Sequence, residues 1–197
     1  MQIYAGAMSD NLRIYTKAIY GMDHVVRLVD DAAWDNQSPC PEWTARDVLG
    51  HVIGIQRWLE ATARQVTPPK LDLFDNPGST AGDDPAAAWA SVRDGVLEAL
   101  DHPDVLNITI DAFRGPEPLD AQLGWNVVDT VGHTWDLARA ADVDDRLDPG
   151  VVHRALIEAA PMIENLRRPK MFGEAQKAPN TDDEQTRLLA LLGRSAT

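Results

Sequence analysis

Residues 39–51 have the sequence PCPEWTARDVLGH, in which a proline-containing turn is followed directly by a helix start signal. The two prolines exclude a helix before Trp43, because proline lacks a backbone donor and clashes with the preceding turn. Thr44 can accept a hydrogen bond from the Asp47 amide while the Asp47 side chain reaches back to the Thr44 amide, a carboxylate version of the capping box. A helix is therefore predicted to begin at Thr44 and to run to about Gln65.

Other segments of the chain carry helix signals of the same kind. Between residues 9 and 31 the apolar residues recur at gaps of three and four, the period of a helix with one buried face. Asp84-Pro85 and Asp148-Pro149 each place a cap residue before a proline, which is typical of a helix start. A further helix is predicted within residues 119–141. Residues 181–193 predict a short last helix, which opens on a capping box at Thr181 and stops at a glycine.

The prediction is an all-α fold in a single domain that covers residues 1–197. Long helices are joined by loops, and residues 105–118 have the signal of at most one short strand. Residues 1–8 are expected to be disordered. The chain is long enough to bury one substantial core.

The charge and cysteine content restrict the class of partner. Thirty-one acidic and eighteen basic residues give a formal net charge of -13, which argues against a surface for nucleic acid or anionic lipid. Cys40 is the single cysteine, so an internal disulfide framework and a cysteine-based zinc finger are excluded. No apolar run approaches the roughly 20 residues that span a bilayer. We expect a cytoplasmic protein that binds neither nucleic acid nor membrane.

Two predicted helices carry residues suited to a metal site. Asp129, His133 and Asp136 are spaced four and then three apart, so they project within a sector of about 60° on one helix face. His51 lies on the inward flank of the helix that starts at Thr44. Two imidazoles and one carboxylate would leave a fourth coordination position open for water or substrate, which is typical of a catalytic metal site.

The same spacing supports a second interpretation. The opposite face of the later helix is apolar, so periodicity alone would turn Asp129, His133 and Asp136 toward solvent. That apolar face consists of Leu123, Val127, Val131, Trp135 and Ala138. His51 could equally be a partly buried histidine that is hydrogen-bonded to a neighbour. Phosphate-loop, His-Glu-x-x-His and Gly-x-Ser-x-Gly motifs are absent from the sequence, so the common nucleotide-binding and hydrolase signatures suggest nothing else.

The chain resembles the DinB and mycothiol-dependent maleylpyruvate isomerase superfamily in three segments that occur in the same order. The first is PCPEWTARDVLGH at 39–51, and the second is DTVGHTWDLARA at 129–140. The third is Phe172-Gly173 followed by QTRLLALLG at 185–193, which resembles the end of single-domain, actinobacterial-type members. The resemblance covers nearly the whole chain from Leu12 onward.

This resemblance implies a DinB-like four-helix bundle with long loops and short extra C-terminal helices. It also implies a divalent metal, usually zinc, held by His51, Asp129 and His133. Asp136 is expected to orient a ligand imidazole by accepting its N–H, with direct metal binding and capping of local structure as the alternatives. The isomerase that names the superfamily has Glu at the position of Asp129 and has a further C-terminal domain at its active site, which 197 residues do not include. Isomerisation of maleylpyruvate is therefore not carried over.

The leading functional hypothesis is a metal-dependent, S-transferase-like enzyme. Its metal, Zn²⁺ with Ni²⁺ or Fe²⁺ as alternatives, would activate a low-molecular-weight thiol such as mycothiol for attack on a small electrophile. Two other hypotheses use the same residues: a non-haem iron enzyme with two histidines and one carboxylate, and a non-enzymatic bundle that binds a ligand or partner. An apolar bundle face could also support a homodimer.

Overall fold

Helices dominate the computed structural model, which describes residues 8–102, 104–112, 115–161, 176 and 183–195. Within these ranges there are six α-helices and one antiparallel β-hairpin. The helices are α1 (Asp10–Val26), α2 (Ala45–Ala63), α3 (Pro85–Leu100), α4 (Leu119–Ala140), α5 (Pro149–Ala159) and α6 (Glu184–Leu191). The hairpin strands are β1 (Thr109–Ala112) and β2 (Gly115–Pro118).

The helix starts carry the caps that the sequence predicts. The Asp47 amide donates to Thr44 Oγ1 over 3.2 Å, and the Thr44 amide donates to Asp47 Oδ2 over 2.9 Å, so both bonds of the capping box are present. Asp84 and Asp148 cap α3 and α5 through their side chains, each with proline at the first helical turn. These caps satisfy backbone donors that would otherwise lack partners.

Helices α1 to α4 form the predicted four-helix bundle. Helix α1 packs against α4 and α3, and α2 packs against α3 and α4, while α5 packs on α4 and α6 packs on α5. The core between them contains large, fully buried side chains: Tyr15, Ile19, Met22, Leu49, Ile53, Leu59, Trp89, Leu100, Leu119, Leu123, Trp135 and Leu137. The all-α class and the bundle architecture are therefore confirmed.

Helix α4 is buried around nearly its whole circumference. Helices α1, α2 and α5 all pack against it, so polar residues on the face opposite its apolar stripe also lie inside the protein. The solvent-facing alternative for Asp129, His133 and Asp136 assumes one exposed face, and this helix does not have one in its second half.

Residues 105–118 differ from the sequence prediction, because they contribute two strands and not at most one. Strands β1 and β2 pair with Thr109 opposite Pro118 and Ile110 opposite Glu117. Pro116 and Pro118 weaken the strand signal, yet proline is tolerated in a two-stranded hairpin because each strand has a free edge.

Some predicted features fall at the margins of the described ranges. The N-cap of α6 is Asp183, whose side chain accepts from the Thr186 amide, whereas the sequence pattern favours Thr181. Thr181 and the Phe172-Gly173 pair lie outside the described residues, as do residues 1–7 of the segment expected to be disordered. In the described part of the chain, no helix combines the length and apolarity that a membrane crossing requires.

Two glycines of α2 allow the α2–α3 loop to approach that helix closely. A Cβ on Gly50 would collide with the Pro77 carbonyl, and a Cβ on Gly54 would collide with the Leu73 side chain. The loop segment that carries Leu73 is therefore held against the face of α2 that also carries His51.

We expect Gly50→Ala to lower the free energy of unfolding by about 1–3 kcal/mol, because the new methyl group overpacks a backbone contact. The matched control is Gly21→Ala, an exposed helical position with open space around its Cβ, which we expect to raise stability by about 0.5–1 kcal/mol. Urea denaturation of both variants measures these changes. A Gly50→Ala protein as stable as the wild type would contradict the close approach of the Pro77 segment.

Candidate metal centre

The structure brings His51, Asp129 and His133 together from two helices. His51 projects from α2, and Asp129 and His133 project from one face of α4 a single turn apart. One potential ligand atom from each residue lies within 4.8 Å of the other two. Asp129 Oδ1 is 3.5 Å from His51 Nε2 and 3.6 Å from His133 Nε2. The three residues proposed from sequence thus form one compact group.

The ring of His51 is fixed by a backbone carbonyl. Its Nδ1 lies 2.8 Å from the Leu73 oxygen. A carbonyl oxygen only accepts hydrogen bonds, so Nδ1 carries the proton and donates it. In the neutral ring, Nε2 is therefore unprotonated and directs its lone pair toward Asp129. Metal-ligating histidines are commonly held in this way through their other ring nitrogen.

The ring of His133 is fixed by a carboxylate. Its Nδ1 lies 3.0 Å from Asp136 Oδ2, and Asp136 is fully buried. Burial acts to raise the pKa of Asp136, but the charge and hydrogen bonds of Arg194 outweigh it and keep the pKa below its usual range. Because the ionised carboxylate only accepts, Nδ1 of His133 donates, and Nε2 is left free to face Asp129.

Asp129 completes a set of three converging acceptors. Burial acts to raise the pKa of Asp129, yet the His133 and His51 side chains outweigh it and lower the pKa to about 2. Burial acts to lower the pKa of His51, but the interaction with Asp129 raises it above its usual value overall. Asp129 Oδ2 is buried, and no donor among the described residues reaches it. An ionised carboxylate with one unpartnered oxygen, flanked by two imidazole Nε2 atoms, is a donor set that fits a divalent cation.

The group lies inside the bundle. His51 is 5% exposed and His133 is 8% exposed, so neither is a surface side chain. Aromatic rings border the histidines: the Trp43 ring lies 5.0 Å from the His51 ring and 5.8 Å from the His133 ring between centroids. Phe74 lies 5.8 Å from His51 and is exposed. The site therefore combines polar ligand atoms with an apolar border at its rim.

Cys40 and Arg194 are contacts of the site that the sequence argument does not identify. Cys40 Sγ donates to Asp136 Oδ2 over 3.1 Å, and Arg194 makes two hydrogen bonds to the same carboxylate. Burial and then the Asp136 charge raise the pKa of the Cys40 thiol well above its usual value. Arg194 is 58 residues from Asp136 in sequence, and the signal that comes closest to locating it is the helix stop at Gly193.

A second group of potential ligands, formed by Cys40, His133 and Asp136, lies on the other side of the His133 ring. It suits a cation less well. Arg194 already pairs with the Asp136 carboxylate, and the Cys40 thiol is engaged as a hydrogen-bond donor to it, whereas a metal binds the thiolate. The group that contains Asp129 is therefore the better candidate.

Comparison with known proteins identifies the family of the chain. Residues 16–138, more than half of the chain, match the family described as the mycothiol maleylpyruvate isomerase N-terminal domain. The chain belongs to this family. The match contains all of α2 and α4 up to residue 138, and thus all three candidate ligands, so the family resemblance noted from short motifs is confirmed.

Relatives of this chain include an uncharacterized protein of Mycobacterium tuberculosis, found in strains CDC 1551 and H37Rv. It is 29% identical over 164 residues, which cover 80% of this chain and 83% of the relative. The crystal structure of the mycothiol-dependent maleylpyruvate isomerase is similar in fold, with a TM-score of 0.61 and 17% identity over 81% of this chain and 71% of that one. A histidine-to-alanine mutant of that enzyme gives a TM-score of 0.59 and 18% identity over 85% and 73%.

We expect His51→Ala and His133→Ala each to weaken zinc binding by more than about 100-fold, because each removes a ligand nitrogen. Loss of a residue that only hydrogen-bonds to a ligand typically costs about 10–100-fold. Competition with a chromogenic chelator measures the affinity. His153→Ala is the matched control, since His153 is exposed and pairs with Glu184 on α6. Unchanged zinc affinity in both site variants would rule out this centre.

Proposed function

We propose that this protein is a metal-dependent, S-transferase-like enzyme that activates a low-molecular-weight thiol for attack on a small electrophile. One observation carries the proposal: two imidazole nitrogens and one carboxylate oxygen converge inside the bundle, three potential ligands where zinc takes four. A structural zinc site is normally closed by four protein ligands, whereas three leave a position for substrate.

His51, Asp129 and His133 would hold the metal. A divalent cation bound there would supply Lewis acidity and favour the thiolate form of a bound thiol at neutral pH. The chain's own residues prepare the site. The Leu73 carbonyl and the Asp136 carboxylate each accept a hydrogen bond from an Nδ1 atom, so both Nε2 atoms face the Asp129 carboxylate, which supplies the negative charge. This preorganisation means that little rearrangement is needed on binding.

The nucleophile is proposed to come from outside the chain. Cys40 is the single cysteine, and its thiol is held as a hydrogen-bond donor to Asp136 with a pKa well above the usual value. A protonated thiol is a poor nucleophile. The family name and the solved isomerase both point to mycothiol as the thiol cosubstrate.

Attack of the thiolate on the electrophile is a step that an isomerase and a transferase share. Addition of a thiolate to a conjugated double bond permits rotation about the former double bond, and loss of the same thiol then completes an isomerisation. Retention of the carbon–sulfur bond, with a proton added at the neighbouring carbon, gives a conjugate. Trp43 and Phe74 at the rim offer apolar surface to either class of electrophile.

Metal identity separates this proposal from a non-haem iron enzyme, since two histidines and one carboxylate serve both. Elemental analysis after anaerobic purification is expected to give zinc. A non-enzymatic bundle would keep its metal without thiol-dependent turnover. The cytoplasmic location and the homodimer expected from the sequence stay predictions.

We expect the zinc-loaded wild-type protein to consume mycothiol in the presence of a conjugated electrophile, and His133→Ala to lose at least 100-fold of this rate, because the variant lacks a ligand nitrogen. Thiol consumption and product mass measure the reaction, with the His153→Ala protein as control.

The same assay tests the source of the nucleophile. Cys40→Ala is expected to retain thiol-dependent turnover. A zinc-loaded Cys40→Ala protein without activity would contradict an external nucleophile, and a wild type that binds no metal would contradict the whole proposal.

A further inference from the structure

Arg194 is held in place by the C-terminal end of α6. The Arg194 amide donates to the Leu189 carbonyl over 2.8 Å, and the Gly193 amide donates to the Ala190 carbonyl over 3.1 Å. This pair of bonds is a Schellman motif, and Gly193 adopts the left-handed φ of 83° that the motif requires. The backbone at Arg194 is therefore fixed by the helix that precedes it.

The Arg194 side chain forms a two-pronged ion pair with Asp136 on α4. Nε donates to Oδ1 over 2.8 Å and Nη2 donates to Oδ2 over 2.5 Å, while Nη1 donates to the Leu192 carbonyl over 3.2 Å. A Cβ on Gly132 would lie 3.5 Å from the guanidinium carbon, so glycine at this position leaves the arginine close to the helix surface. Both oxygens of the carboxylate are thereby fixed in orientation.

The fixed carboxylate then acts on His133. Asp136 Oδ2, which accepts from Arg194, also accepts the hydrogen bond that His133 Nδ1 donates over 3.0 Å. Without the guanidinium, the buried carboxylate would lose its counter-charge and the hydrogen bond to Oδ1, and the contacts of Oδ2 with Cys40 and His133 would have to orient it alone. The Arg194 fork therefore determines where the acceptor for His133 lies.

We propose that Arg194 is a positioning residue for the metal centre: acting through Asp136, it sets the tautomer of His133. The C-terminal segment thus prepares a ligand that belongs to α4. This inference rests on the proposed function in that it treats His133 as a ligand, but the tautomer exists in the metal-free protein and can be measured there.

The test compares full-length wild type with R194Q, R194K, D136N and the R194Q/D136N double variant. Long-range ¹H–¹⁵N NMR of the metal-free proteins reports which nitrogen of His133 carries the proton. Chelator competition with zinc alone reports affinity. R93Q is the matched control, because it removes a similarly buried arginine from a pair with Asp23 that joins α3 to α1.

We expect wild-type His133 to be in the Nδ1–H form and R194Q to contain a mixture of both tautomers, with zinc affinity 10–100-fold weaker. R194K keeps the charge but lacks the fork, so it should show a smaller shift in the same direction, and it provides both readouts if R194Q does not fold. R93Q should match the wild type in both measurements.

The double variant tests whether the effect of Arg194 on His133 passes through Asp136. If Arg194 acts through Asp136, R194Q adds no further loss of affinity once D136N is present. Wild-type tautomer and affinity in both R194Q and R194K, or losses that multiply in the double variant, would overturn the inference. A wild type that binds no zinc while R194Q still changes the tautomer would overturn the proposed function and leave the role of Arg194 standing.

Discussion

Three hydrogen-bond acceptors, the Asp129 carboxylate and the Nε2 atoms of His51 and His133, face one another inside a protein of low local polarity. Acceptors at such distances repel unless a proton or a metal cation lies between them, and the raised pKa of His51 reflects the same demand for positive charge. The surrounding contacts maintain this arrangement. The Leu73 carbonyl and Asp136 hold the imidazoles so that their lone pairs point inward.

The bundle makes this convergence possible by burying α4 on nearly all sides. Helix α2 brings His51 to it, the α2–α3 loop brings the Leu73 carbonyl, and the segment after α6 brings Arg194. Each of these elements contributes a polar group to the cluster that Asp129, His133 and Asp136 form on α4. Since an unpaired buried charge is strongly destabilising, the ion pair between Arg194 and Asp136 links the stability of the C-terminal segment to the order of the site.

Local signals in the sequence predicted most of the fold, because caps such as Thr44 act within a few residues. The spacing of Asp129 and His133 placed them on one face, the inward flank of its helix made His51 a third candidate, and the family resemblance favoured these three as the ligands. Periodicity could not show that this face is buried, since burial depends on which helices pack against α4. The contact to the Leu73 carbonyl uses a backbone atom that every residue has, so no residue type indicates it. Arg194 and Asp136 are distant in sequence and come together only when the chain folds. The sequence predicts one strand fewer than the hairpin contains. Proline weakens the strand signal, and it is tolerated here only because each strand has a free edge.

The central claim is that one divalent cation binds among His51, Asp129 and His133 and leaves a position open. Anomalous diffraction at the zinc edge, from crystals grown with zinc, tests it most directly. The account predicts one peak at about 2.0–2.2 Å from both Nε2 atoms and from an Asp129 oxygen, with a non-protein atom as the fourth neighbour. A peak on the Cys40 side of the His133 ring, or no peak beside Asp129, would contradict it.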